Sequence, residues 1–162
     1  MSFYSKAMEL KKVSEQYYHN LSNKCSQDQG VNNILNMLAE DEMKHYTLFK
    51  KLKEDERIEM IDSNLMLNVQ NEINDMKKRS MEFTCFTDQI DLYKEALEIE
   101  KKHLSFYIQY YNQINVSDKV SLKKIIDEEY EHIKTLSFLI QMIEHPKFWV
   151  ESAEFNLNEE EY

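Results

Sequence analysis

The sequence predicts an all-α fold, a four-helix bundle in which one long crossover connection joins the second helix to the third. Only one Gly and one Pro occur among 162 residues, too few turn residues for an all-β protein of this length. Leu, Met, Lys, Glu and Gln, which all favour helices, are abundant. Apolar residues recur at helical spacing along most of the chain, and the length suits one domain, residues 1–162.

The first predicted hairpin covers residues 2–53. Its first helix runs over about 2–23, a polar stretch at 26–30 marks the turn, and the second helix runs over about 31–53. The inward stripes of the two helices are Ala7, Leu10, Ser14, Tyr17, Tyr18 and Leu21, followed by Ile34, Leu35, Leu38, His45, Phe49 and Leu52.

The second predicted hairpin covers residues 88–144. The third helix runs over about 88–114, and the fourth begins near Ser117 and Asp118, which are candidate N-caps. Pro146 ends the fourth helix, because proline lacks the N–H that the helix needs. The inward stripe of the third helix is Leu92, Ala96, Ile99, His103, Phe106, Tyr107 and Tyr110.

A long connection, residues 54–87, separates the two hairpins. A structureless loop of that length would be unusual in a compact domain, whereas a segment that crosses the length of the bundle explains it. Unevenly spaced apolar residues between 58 and 81 predict that this crossover is partly helical. The C-terminal segment, 145–162, contains an apolar run, and we expect a short helical segment packed across one end of the bundle.

Glu-x-x-His occurs twice, 87 residues apart, at Glu42–His45 and at Glu129–His132. Residues three apart share one face of a helix, so each copy directs a carboxylate and an imidazole to the same spot. Two such helices, with one Glu from each of two other helices, form the di-metal carboxylate site of helical bundles. Nitrogen and oxygen ligands of this kind suit iron or manganese.

The two hairpins are related by sequence. A shift of 87 places the second helix on the fourth and aligns both Glu-x-x-His motifs, with Leu35 on Leu122 and Leu38 on Ile125. A shift of 89 aligns the first helix with the third, with Ala7 on Ala96, Lys11 on Glu100 and Tyr18 on Tyr107. We infer a duplicated hairpin whose approximate two-fold axis brings the two motifs face to face.

The third helix supplies a further carboxylate, Glu100, seven residues before Tyr107 and therefore on the same face. The equivalent position of the first helix is Lys11, and a protonated lysine cannot ligate a metal. Glu15 lies one turn further along, about 40° from the Lys11 direction, and is the candidate substitute. His103 makes a third Glu-x-x-His with Glu100, and we expect it beside the site rather than on the metal.

These motifs resemble the ferritin-like domain of the rubrerythrin family. The resemblance rests on Glu100 before Phe106-Tyr107 and on the two runs around the motifs, 38–45 and 127–132, and it covers most of the chain outside the crossover. It implies a non-haem iron centre of one or two ions, with manganese possible, that reduces peroxide or oxidises ferrous iron with dioxygen. The implied metal ligands are Glu42, His45, Glu100, Glu129, His132 and, in place of the lysine, Glu15.

The chain departs from the resembled family in two respects. It has no Cys-x-x-Cys pair, so it lacks a rubredoxin module, and an enzyme of this type would need an external electron donor. Lys11 leaves three states of the site open: a dinuclear site completed by Glu15, a mononuclear site, or a metal-free bundle with Lys11 in a buried ion cluster. The last state corresponds to the alternative function, a non-catalytic scaffold or partner-binding protein.

The composition of the chain argues against several classes of binding partner. The formal net charge of −10 and the absence of a basic patch argue against nucleic acid. No apolar run reaches the ~18 residues of a membrane span, and no secretory signal is expected at the N-terminus. Cys25 and Cys85, far apart and in no metal motif, are expected as reduced thiols of a cytoplasmic protein. The resembled bundles commonly pair through helix faces, so we expect a homodimer.

Overall fold

The computed structural model describes residues 2–25, 28–56, 63–78 and 90–145. In these ranges the chain forms five α-helices and no strand: α1 (Phe3–Lys24), α2 (Gln29–Lys53), α3 (Leu65–Lys78), α4 (Ile90–Tyr111) and α5 (Val116–Glu144). The predicted all-α class is therefore confirmed for the described part of the chain. No helix in these ranges is both long enough and apolar enough to cross a membrane.

The four predicted helices correspond to α1, α2, α4 and α5, and the partly helical stretch of the connection corresponds to α3. Helix α1 packs on α2 and on α4, helix α5 packs on α4 and α2, and α3 packs on α2. The packing of the C-terminal segment beyond His145 is a prediction that lies outside the described residues.

Side-chain hydrogen bonds cap the N-termini of the first two helices. The Ser2 side chain accepts from the Ser5 backbone N–H, and the Asp28 carboxylate accepts from the Val31 N–H at 3.1 Å, which caps α1 and α2. The predicted caps of the last helix are wrong, because α5 already begins at Val116. Asp118 lies within its first turn and accepts instead from the Tyr4 hydroxyl of α1.

Two apolar clusters fill the bundle, one toward each end. The larger cluster contains the C-terminal half of α1, the N-terminal half of α2, the buried face of α3 and the C-terminal half of α5. The smaller cluster is centred on Phe49, Tyr107 and Leu122. Between the clusters, α1, α2, α4 and α5 each contribute buried polar side chains, so the polar groups occupy the middle of the bundle.

Cys25 ends α1 in the larger cluster and is disulfide-bonded. The expectation of a reduced thiol is therefore wrong for this residue, and Cys85 lies outside the described residues. The sequence gave no indication of this disulfide, since the bond depends on the distance between two Cβ atoms and not on separation along the chain. Cys25 therefore gives no support to the expected cytoplasmic location.

Candidate metal centre

Four side chains from three helices form the centre of the polar layer, and we call them the inner cluster: Glu42 of α2, Glu100 of α4, and Glu129 and His132 of α5. One ligand atom from each lies within 4.8 Å of the others. All four residues are 1% exposed or less. Carboxylates this deeply buried need a cation or several hydrogen bonds, because ionised groups are strongly disfavoured away from water.

Lys11 of α1 supplies one such cation from within the chain. It is fully buried, its Nζ contacts Glu129 Oε1, and it lies 3.1 Å from Glu42 Oε2. The Tyr107 ring faces the same ammonium at 5.0 Å, a cation–π distance. These contacts show that the Lys11 side chain points into the inner cluster.

Lys11 does not complete the polar pairing of the glutamates. The Oε2 atoms of Glu42, Glu100 and Glu129 are buried and accept no hydrogen bond from the described residues, although that of Glu42 lies 3.1 Å from the Lys11 ammonium and that of Glu100 lies 3.6 Å from His132 Nδ1. Buried oxygens are normally paired, so three such atoms in one cluster mark a place where a further positively charged group fits. The donor set of carboxylates and imidazole is the one that iron and manganese use in helical bundles.

Each motif histidine contacts carboxylates of the other motif helix. His132 of α5 directs Nδ1 to Glu42 Oε1 at 2.8 Å and Nε2 to Asp41 Oδ2 at 2.6 Å, both on α2. His45 of α2 reciprocates on α5, with Nδ1 3.3 Å from Glu129 Oε1 and Nε2 in contact with the carboxylate of the preceding Glu128. This exchange is the pseudo-two-fold relation that the duplicated sequence predicts.

The imidazole rings lie nearly parallel, with centroids 5.6 Å apart and planes 10° apart. Both Nδ1 atoms face the inner cluster, and both Nε2 atoms face Asp41 and Glu128 on the other side of the ring pair. We call the latter group, Asp41, His45, His132 and Glu128, the outer cluster. One ligand atom from each of its first three members lies within 4.8 Å of the others.

The two histidines differ in charge although their surroundings are related by symmetry. Burial, and after it the charge of the nearby Lys11 ammonium, lower the pKa of His45 to about 3, so the ring is neutral. Burial also disfavours the charged form of His132, but hydrogen bonds with Asp41 and Glu42 and the Glu100 carboxylate 3.6 Å away outweigh it and raise its pKa well above the usual range. The Lys11 ammonium is one cause of this difference, since its charge lowers the pKa of His45.

Hydrogen bonds fix Glu100 from α1. Ser14 donates to Glu100 Oε1 at 2.5 Å and lies 3.0 Å from His103 Nδ1. Burial raises the pKa of Glu100, but the His132 imidazolium, Lys11 and Ser14 together lower it to about 2. His103 lies 3.9 Å from Glu100 and outside both clusters, and burial is the main cause that lowers its pKa to about 4.

Two tyrosines close the inner cluster. Tyr18 and Tyr107 are fully buried, and neither hydroxyl has a hydrogen-bond partner among the described residues. Burial raises the pKa of each hydroxyl well above its usual range, and the carboxylates of Glu42 and Glu100 add to the shift. Both phenols therefore stay protonated and face the glutamates as potential hydrogen-bond donors.

The structure brings five of the six predicted ligands into the polar layer. Glu42, Glu100, Glu129 and His132 meet in the inner cluster, and His45 lies beside them. Glu15 is not among them, because its carboxylate pairs with His19 at 3.4 Å on the partly exposed flank of α1. The inward position of that helix is already filled by Lys11.

Sequence reasoning gave no role in the site to Asp41, Glu128 or Ser14, although it placed Ser14 on the inward stripe of the first helix. A signal for the first two was present, since an acid precedes the glutamate of each Glu-x-x-His copy. Such neighbours point about 100° away on a helix and are usually solvated, so only the crossing of the two motif helices turns them inward.

Comparisons with known proteins add no relative. No protein-family model, curated protein or solved structure matches this chain.

Proposed function

We propose that this chain is a non-haem metal protein that holds a single iron ion, with manganese as the substitute, in the inner cluster. We further propose that it performs redox chemistry of the rubrerythrin type, peroxide reduction or ferrous iron oxidation. The observation that supports it is the convergence of three glutamates and a histidine, each glutamate with a buried Oε2 that accepts no hydrogen bond within the described residues, where that of Glu42 has only Lys11 as an ion pair. Lys11 acts in this proposal as a fixed cation in place of a second metal.

The balance of buried charge supports a cation. Four fully or almost fully buried carboxylates, those of Asp41, Glu42, Glu100 and Glu129, face two positive groups, the Lys11 ammonium and the His132 imidazolium. The centre therefore retains an excess of negative charge in a region of low dielectric, where isolated charges are costly. A divalent ion offsets that excess, and the imidazolium proton leaves when the ring binds it.

The directions of α2 and α4 support the ferritin-like topology. Helix α2 leads from the larger apolar cluster at Leu38 to the smaller one at Phe49, and α4 likewise leads from Ala96 to Tyr107. Both helices thus run in the same direction, so the segment between them has to return along the bundle. Short links join α1 to α2 and α4 to α5, as expected for two hairpins joined by one crossover.

The side chains of the inner cluster and their neighbours have different roles in this proposal. Glu42, Glu100, Glu129 and His132 would hold the iron, which supplies one-electron chemistry toward peroxide or dioxygen. Ser14 orients Glu100, and the protonated Tyr18 and Tyr107 hydroxyls lie where they can donate hydrogen bonds to carboxylates or to a bound oxidant. Electrons would come from a donor outside these 162 residues, which contain no Cys-x-x-Cys pair. A homodimer and a cytoplasmic location stay predictions.

Metal analysis tests the binding step. Protein purified with ferrous iron and then desalted should retain about one ion per chain, as the donor set of one four-ligand site implies. Glu100→Gln should abolish that ion, whereas Glu98→Gln should not. Glu98 is on the same helix with its side chain 66% exposed, so it is a matched control. A metal content near zero in wild-type protein would end the proposal.

Stopped-flow spectroscopy tests the redox step separately. Ferrous protein mixed with hydrogen peroxide, or with dioxygen, should be oxidised faster than free ferrous iron under the same conditions. Glu98→Gln should keep the rate and Glu100→Gln should lose it. If the iron binds but is oxidised no faster than in buffer, metal binding stands and the redox assignment fails.

A second candidate function follows from Lys11 alone. Its contacts with Glu129 and Glu42 form a buried ion cluster, which is the arrangement expected of a metal-free scaffold or partner-binding bundle. Buried ion pairs of this kind contribute to specificity of packing more than to net stability. The same metal analysis separates the two functions, because a scaffold would retain no ion in either the wild-type protein or its Glu98→Gln control.

A further inference from the structure

We propose that the outer cluster is a second cation site, in which Asp41, Glu128 and the Nε2 atoms of His45 and His132 bind a divalent ion of the zinc type. The site is distinct from the inner cluster in its carboxylates and in the nitrogens that it uses. It goes beyond the proposed redox function and does not depend on it.

The geometry brings the four ligand atoms to one side of the imidazole pair. Asp41 Oδ2 lies 2.6 Å from His132 Nε2 and 3.6 Å from His45 Nε2, so one carboxylate oxygen lies between the two rings. Glu128 Oε2 contacts His45 Nε2 from α5. The near-parallel rings direct both nitrogens the same way. Residues of α2 and α5 thus contribute one carboxylate and one imidazole each.

Two imidazole nitrogens and two carboxylate oxygens form a four-coordinate donor set, which is the preference of zinc in proteins. Asp41 and Glu128 each lie at hydrogen-bond distance from one imidazole nitrogen. Small rotations of the two carboxylates would separate these donors enough for an ion to bind between them at metal–ligand distances of about 2.0–2.2 Å. Binding would displace the proton that His132 Nε2 shares with Asp41, as metal binding to imidazole requires.

The surroundings favour entry of a cation from this side. The Glu128 side chain is 12% exposed, whereas the glutamates of the inner cluster are buried. Glu131 lies on the same face of α5, partly buried. Glu128 and Glu131 thus place two acidic side chains beside Asp41 at this face. Cations concentrate at such a face.

The segment that leads into α3 prepares Asp41 for this role. Ser63 donates its hydroxyl to Asp41 Oδ1 at 3.0 Å, which holds the carboxylate and leaves Oδ2 turned toward the two rings. The Ser63 hydroxyl also accepts from the Leu65 N–H at the start of α3. Hydrogen bonds of this kind orient metal ligands in known sites. The connection between the hairpins thus contributes directly to the outer cluster.

The opposing possibility is that Asp41 and Glu128 only orient the histidines for the inner cluster. A Co²⁺ titration separates the two cases when it is made in a Glu100→Gln background, which removes an inner ligand and leaves the outer cluster intact. Tetrahedral Co²⁺ with nitrogen and oxygen ligands gives intense visible absorption bands, so the spectrum reports both occupancy and coordination.

We expect the Glu100→Gln protein to bind Co²⁺ with these bands and Zn²⁺ to displace it. Adding Asp41→Asn should weaken Co²⁺ binding by about 100-fold or more, beyond the roughly 10- to 100-fold typical of an orienting residue. Glu128→Gln, which keeps the size of a side chain that is 12% exposed, should also lose the bands. Glu131→Gln changes the same formal charge on the same face and should keep them.

Several outcomes would overturn the outer site. The proposal fails if Glu100→Gln protein binds no Co²⁺, or if Asp41→Asn and Glu128→Gln each weaken its binding by less than about 100-fold, the range of an orienting residue, while melting curves show folded protein. Loss of the bands in Glu131→Gln to the same extent would also overturn it, since attraction by charge would then explain the binding. Iron retention in otherwise wild-type protein, measured separately, reports on the proposed function and stays independent of these results.

Discussion

Replacing Lys11 by glutamate is the sharpest perturbation of this centre, because it changes the charge that the chain itself supplies. The wild-type ammonium is fully buried against Glu129 and Glu42. Lys11→Glu removes that cation and adds a fifth carboxylate to the four already buried there. By sequence symmetry it also gives α1 the acid that Glu100 provides on α4.

The expected magnitude follows from burial. Removing one partner of a buried pair costs about 3–5 kcal/mol, and reversal of the charge places Lys11→Glu at the upper end of that range. For a chain of this length, each kcal/mol changes Tm by about 2–4 °C, so metal-free Lys11→Glu should melt about 10–20 °C lower than wild type. A metal ion at 100 times its Kd returns about 2.7 kcal/mol, or roughly 5–11 °C.

The assay combines melting curves by circular dichroism, with and without Fe²⁺ or Mn²⁺ under anaerobic conditions, with metal analysis after desalting. Lys11→Glu should show the larger metal-dependent rise in Tm and should hold one more ion per chain than wild type. Lys12→Glu is the matched control, because Lys12 is the exposed neighbour and its change should stay within about 1 kcal/mol.

Two results would refute the reasoning. If metal-free Lys11→Glu melts within a few degrees of wild type, the ammonium does not offset buried carboxylates as its contacts indicate. If its metal content equals that of wild type, the acid on α1 does not complete a second metal position. Lys11→Met, which removes the charge without adding an acid, should be destabilised in the same direction without any gain in metal.

Three further predictions concern single groups. Ionisation of Glu131 is disfavoured in the fold, because its pKa is raised to about 7. Glu131→Gln should therefore increase the free energy of unfolding by about 1–2 kcal/mol at pH 8 and leave it unchanged below pH ~4.5. Urea unfolding at both pH values measures this, and an equal gain at both would contradict it. Ser14→Ala removes a donor to buried Glu100 and should cost about 1–3 kcal/mol, measured by urea unfolding; Ser5→Ala on the exposed first turn of α1 should cost less. Phe49→Ala should cost about 3–5 kcal/mol in the same assay, because its ring is fully buried in the smaller cluster.

The helices and the central position of the site were predictable, because both depend on periodicity within single helices. Apolar spacing placed α1, α2, α4 and α5, and three-residue spacing put each motif carboxylate on the face of its imidazole. The internal repeat then implied that the motifs meet. Both features follow from local helix geometry and from one symmetry relation between the hairpins, and the sequence contains both kinds of information.

The remaining features depend on distances between helices, which the sequence does not encode locally. Glu15 was a reasonable substitute by angle, but Lys11 occupies the inward space and Glu15 pairs with His19 instead. Asp41 becomes part of the site only because a histidine from α5 reaches it. The Cys25 disulfide likewise depends on packing that sequence separation does not reveal.

The reciprocal crossing of the two motif histidines has a consequence for folding. Each hairpin holds an imidazole whose acidic partners belong to the other hairpin, so neither half satisfies its own buried polar groups. Separately expressed halves should therefore be unstructured alone and recover helicity only when mixed, as two fragments that complement each other. A protein descended from a repeated unit would in this way have made its two copies mutually dependent.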